Sequence, residues 1–197
     1  MKTARHLVTI VALLAATAFA QSQQKTADAT TSADSQKAFD ALKTLGGAWE
    51  GRVTMEPKGM QGGDGSDLLH ITLRVTSRGN ALVHEMQEAG TPLDPTKYDH
   101  PVTMLYVDNG QLNLIHYCDA GNRPRMIGKL SPDGKKIEFS FADLSGGNQY
   151  GHMYHAVFTL VDSNHHIEDW TYMMPGDKPM HAHFDLHRVQ DKSLALR

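Results

Sequence analysis

Histidine is the chemically conspicuous residue of this chain, with twelve among 197 residues. Most stand in segments that alternate apolar and polar side chains, and residues two apart on a strand share a face. Leu82 and Met86 share a parity with His84, and Leu112 and Leu114 share one with His116 and Cys118. If those apolar faces turn inward, His84, His116 and Cys118 line an interior. An enclosed imidazole there either anchors the polar end of a ligand or is satisfied by neighbouring hydroxyls and backbone. Cys118 beside His116 also has the makings of a nucleophile, which requires a thiolate held by a close imidazolium. A small apolar filler is the plainer role for a lone cysteine.

The last histidine-rich segment has the opposite parity. Met180, Ala182, Phe184 and Leu186 form one face, and His181, His183, Asp185 and His187 the other. The His181-x-His183 pair sets two imidazoles side by side, a spacing suited to Zn²⁺, although parity points it to solvent. Glu168 and Trp170 share a face. Trp170 joins the ligand-binding set, while Glu168 is a general base only in a dry cavity and is otherwise expected to be solvated. His152-x-x-His155 lies where a loop enters a strand, and His165-His166 reads as the polar composition of a turn. Arg125, closing the polar 119–125 stretch, either meets an anionic head group at the rim or is simply solvated.

The elements that position these residues are short and regular. Strands are expected at 49–55, 69–77, 81–88, 102–107, 111–118, 125–130, 135–142, 153–161, 166–173 and 180–189. Gly, Pro, Asn and Asp clusters separate them, among them Arg78-Gly79-Asn80, Asp108-Asn109-Gly110, Ser131-Pro132-Asp133-Gly134 and Asp162-Ser163-Asn164. Short turns between successive strands make an antiparallel meander, and about ten such strands favour closure, which removes exposed edges. The fold class expected is therefore all-β, a closed antiparallel up-and-down β-barrel of about ten strands, wide enough to keep a cavity. A short helix precedes it, capped by Ser35, with Ala38, Phe39, Leu42 and Leu45 at helical spacing and Gly46 as its stop. Longer loops at 56–67, 90–101 and 143–151 are expected to rim the barrel mouth, the first of them mobile.

The ends of the chain carry other signals. Lys2 and Arg5 precede an apolar run at 7–16 and the small-x-small Ala18-Phe19-Ala20, the pattern of a cleaved secretory signal over 1–20. A polar spacer is expected at 21–34, the barrel domain at 35–190 and a tail at 191–197. The protein is then exported, periplasmic or secreted, with no membrane span. A formal charge of −3 without a Lys/Arg block argues against nucleic acid. Cys118 is the single cysteine, so no internal disulfide forms. Neither a phosphate-cradling loop nor a serine-hydrolase elbow occurs.

The Gly47-x-Trp49 opening after a short helix, followed by an antiparallel meander, resembles the lipocalin and fatty-acid-binding (calycin) superfamily. The likeness runs roughly from Phe39 to Val189, and the strand count is nearer the nitrobindin branch than the eight-stranded lipocalins. It implies a barrel with an internal ligand site. Nitrobindins hold haem through a late-strand histidine, and within 180–188 only His181 matches that position. Exported zinc-binding barrels suggest instead that His181 and His183 hold zinc. The lipocalin disulfide has no counterpart here. The leading expectation is a container for a small, partly apolar molecule, with His84, His116, Cys118, Arg125 and Trp170 as ligand contacts. A haem or zinc barrel, and an isomerase- or dehydratase-type enzyme using Glu168 or His116 as base, are the alternatives. Oligomeric state has no signal in the sequence.

Overall fold

The computed structural model describes residues 32–57 and 64–190. The expected signal segment, most of the spacer and the tail lie outside the described residues. A helix, α1, covers 32–43, beginning slightly before the expected Ser35 cap. Ten strands follow: β1 Gly47–Glu56, β2 Asp64–Thr76, β3 Ala81–Glu88, β4 Val102–Asp108, β5 Gln111–Tyr117, β6 Arg123–Leu130, β7 Lys136–Ser145, β8 His152–Asp162, β9 His165–Met174 and β10 Lys178–Val189. Each pairs antiparallel with its sequence neighbours, and β10 closes on β1 to complete the barrel. Strand β2 starts at Asp64, inside the stretch expected to be a loop, because Asp64 pairs with Thr54 beyond an irregularity in β1.

Local chemistry explains the tight end of the barrel. Asn109 and Gly110 both adopt positive φ, at 49° and 74°, as a two-residue hairpin requires between strands of right-handed twist. At the seam, Gly51 of β1 faces Leu186, and a Cβ there would run into the Asp185 carbonyl oxygen. Only glycine lets β10 come this close to β1.

The helix plugs one end. Ala38, Phe39, Leu42 and Leu45 recur at the 3.6-residue period and are buried against the interior. Trp49 donates its indole N–H to the Leu45 carbonyl at 2.8 Å, tying the helix exit to β1. Arg188 of β10 lies over the Trp49 ring, its guanidinium carbon 4.1 Å from the centroid. The same guanidinium donates to the carbonyls of Gly46 and Ser163, each at 2.8 Å. One stacked arginine thus joins both ends of the strand sequence, the helix exit and the β8–β9 turn.

Above this closure, Leu73, Leu82, Leu105, Leu112, Leu114, Met126, Ile137, Phe139, Phe158 and Leu186 fill the barrel with side chains from nearly every strand. The helix-proximal half is therefore packed solid. Among the described residues, a cavity lies toward the other end, where the β1–β2, β3–β4, β5–β6, β7–β8 and β9–β10 connections emerge. No helix among the described residues is long and apolar enough to cross a membrane.

Candidate functional site

The packed half ends in a layer of polar side chains that sequence reasoning had placed only in part. Strand β9 turns His166, Glu168 and Trp170 inward, and all three are buried. The Glu168 carboxylate is fully enclosed. It accepts from His84 Nε2 at 3.1 and 3.2 Å, His166 Nε2 at 3.0 Å and Trp170 Nε1 at 2.9 Å. Burial alone would push the Glu168 carboxyl up. The neighbouring His84, with N–H donation from His166 and His84, outweighs it and holds the group well below the usual carboxylate range. Glu168 is thus an ionised structural anchor, not the solvated carboxylate expected from sequence. Its donors leave it no free edge for substrate, which removes the geometry of a general base.

His84, Thr103 and His116 stand side by side across β3, β4 and β5, because the register pairs His84 with Thr103 and Thr103 with His116. Thr103 Oγ1 meets His116 Nδ1 at 2.9 Å. Burial, reinforced by His84, lowers the His116 pKa to about 4, so the ring is neutral at physiological pH. Its Nε2 has no partner among the described residues. Trp170 packs against both imidazoles, with ring centroids 5.9 Å from His84 and 5.7 Å from His116.

On the open side of this layer lies a cavity of about 370 Å³, within the range of small-molecule sites. His116 and Trp170 belong to its lining, and Met55, Met86, Met153, Met180 and Phe184 supply most of the apolar wall. Unbranched thioether side chains adapt to irregular ligands. Tyr172, also in the wall, is fixed by donating its hydroxyl to the Tyr150 carbonyl at 2.9 Å. Asp99, Cys118 and Asp119 form the rim. Burial and the Asp119 charge raise the Asp99 pKa, opposed by the Asp119 N–H. Burial is also the main cause that raises the Cys118 thiol, with Asp99 and Asp119 adding to it. The thiol therefore stays protonated, and the conditions for a cysteine nucleophile are not met.

The other expected site residues fall elsewhere. Arg125 turns outward, where its Nε donates to Asp143 Oδ2 at 2.9 Å and its Nη1 to Asn113 Oδ1 at 3.1 Å. The structure does not bring it to the cavity, because the β6–β7 register supplies Asp143 on the outer face. His181 and His183 are also on the outer face, as their parity required. His181 Nδ1 meets Thr171 at 3.0 Å and His183 Nδ1 meets Asp169 at 2.7 Å, so each imidazole has its own partner. An exposed His181 without an apolar pocket does not suit a haem ligand. His166, taken from sequence for turn composition, is the buried residue most clearly missed. The alternation His166-x-Glu168-x-Trp170 was its available signal, since a tryptophan marks the inward parity of β9.

No family model matches the chain, and no curated protein matches it. Among solved structures, it is similar to Rv2717c from M. tuberculosis, at 17% identity and a TM-score of 0.57, covering 78% of this chain and 98% of that one. It also aligns with a protein of unknown function of the DUF3598 family from Nostoc punctiforme PCC 73102. That alignment has 10% identity and a TM-score of 0.47, over 75% of this chain and 49% of the other. The first likeness establishes a shared barrel fold and nothing about chemistry.

Two stability measurements follow from this geometry. Replacing Glu168 by Gln leaves its buried donors facing an amide, and should cost about 3–5 kcal/mol in urea unfolding at neutral pH; a loss below about 1 kcal/mol would show the carboxylate is not the anchor. For His116, the unfolded ring protonates near pH 6.5 and the folded ring only near about 4. The fold therefore binds fewer protons in that interval, and stability falls as pH drops through it, by on the order of 3 kcal/mol. Glu168, whose folded pKa is depressed, keeps its contribution above the ordinary carboxylate range and loses it only as pH falls through that range and below. His116→Gln should flatten the loss between pH 6.5 and 4; an unchanged profile would place the titrating group elsewhere.

Proposed function

We propose that the protein is an exported, lipocalin-like (calycin) container that takes a small molecule with an apolar body and one uncharged or cationic polar end. The observation that carries this reading is the methionine-walled cavity whose floor holds His116, buried, neutral and with no partner for Nε2 among the described residues. An apolar body gains by leaving water for thioether and aromatic walls. A single hydrogen bond to His116 then orients it, since a buried acceptor or donor left unmatched is costly.

The charge of the lining supports the choice of polar end. Among the described residues that line the cavity, Asp99 and Asp119 are the charged ones, and no Lys or Arg accompanies them. A carboxylate ligand would meet a neutral imidazole inside and two acids at the rim. Arg125, committed to Asp143 and Asn113 on the outer face, has no part in this binding. Export rests on the 1–20 segment, and predicts a mature chain starting at Gln21 when the exported fraction is sequenced; a chain still starting at Met1 there would refute it.

Binding is tested with the fluorescent neutral probe N-phenyl-1-naphthylamine and competition by octanol, octylamine and octanoate. Octanol and octylamine should displace the probe, and octanoate should be the weakest competitor. Ala182→Trp, which fills the chamber beside Met180 and Phe184, should abolish probe uptake while the far-ultraviolet spectrum stays that of the barrel. His116→Leu should weaken octanol about five- to tenfold, the value of one hydrogen bond. Undiminished probe binding by Ala182→Trp would refute the cavity as the site, and preferential binding of octanoate would refute the ligand class.

A further inference from the structure

The outer wall near the helix end carries a second cluster, unrelated to the cavity. His165 of β9 and His187 of β10 are direct cross-strand partners. Their rings stack with centroids 4.4 Å apart and planes 18° from parallel. Asp185, two residues before His187 and on the same face, places Oδ1 at 2.7 Å from His165 Nε2 and 3.5 Å from His187 Nε2. The three donor atoms all lie within 4.8 Å of one another. The register extends the row, for β1 sets Glu50 opposite His187, and β2 sets His70 opposite Glu50. His70 Nδ1 and Glu50 Oε1 are already 3.3 Å apart.

We propose that His165, Asp185 and His187 form a surface binding site for Zn²⁺, with Glu50 as the neighbouring carboxylate able to complete it. Zinc bonds to imidazole nitrogen and carboxylate oxygen are about 2.0–2.2 Å long, which puts donors of a tetrahedral centre about 3.3 Å apart. The separations of Asp185 from the two rings bracket that figure. Two imidazoles with carboxylate favour zinc and its borderline neighbours over calcium or magnesium, which take oxygen donors. Strand pairing holds the donors before any ion arrives, so only side-chain rotation is needed to seat one. Arg52 lies opposite Asp185 on β1.

This site differs from the His181-x-His183 pair that spacing along one strand suggested. Those rings are next to one another in sequence parity but are each bound to a different residue of β9. The metal-capable set comes from register across strands, which brings a carboxylate between two imidazoles.

The test is calorimetric titration of the chelator-stripped full-length protein with Zn²⁺ in a buffer on the alkaline side of neutral, because metal binding competes with protons. One ion per chain should bind. His165→Gln and His187→Gln should each weaken it by about tenfold or more, Asp185→Asn should weaken it comparably, and His183→Gln should leave it unchanged. Near-ultraviolet circular dichroism identical to the parent protein confirms that each variant is folded. The proposal is overturned if no stoichiometric binding is seen, if the folded His165 and His187 variants bind like the parent, or if His183→Gln removes the binding.

Discussion

The hydrogen bonding of one buried carboxylate governs the interior of this barrel. Glu168 belongs to β9 and His84 to β3, strands that are not neighbours; on the shorter way around, β10, β1 and β2 stand between them. Their contact therefore crosses the lumen and pins opposite walls at a set width. An ionised group in such a place is tolerated only when its acceptor positions are matched by donors, and removing a donor exposes the full desolvation cost. His166 and Trp170, from the same strand as Glu168, complete the set.

That layer partitions the barrel. Toward the helix, the leucines and phenylalanines pack solid, and the Trp49–Arg188 stack seals the end. Toward the opposite end, Trp170 and His116 form the floor of a chamber with methionine walls. Trp170 serves both sides, because its indole N–H is committed to Glu168 while its ring lines the cavity. The floor is thereby held rigid, and the adaptable part of the chamber is left to the thioethers. A rigid floor with a soft wall is suited to fixing one polar end of a ligand while tolerating variety in its body.

Much of this was legible along the chain. Turn chemistry at Asp108-Asn109-Gly110 and its counterparts located the strands, and parity correctly turned His84 and His116 inward and His181 and His183 outward. What could not be read was pairing between distant strands. Glu168 looked solvated because a carboxylate alone on a strand ordinarily is, and its justification, His84, comes from across the barrel. His166 was lost for the same reason. Nothing along the chain pairs Arg125, and only the β6–β7 register places Asp143 beside it. The His165, Asp185 and His187 cluster likewise exists only through register, since two of its members lie on one strand and the third on the next.

On the proposed function, the polar layer is a fixed floor and His116 is the residue on it that meets a ligand. Nitrogen-15 NMR of the histidine side chains during titration with octanol tests this most directly. The His116 ring resonances should move with ligand while those of His84 and His166 stay in place, bound to Glu168. Movement of the His84 or His166 resonances with His116 unchanged would contradict it.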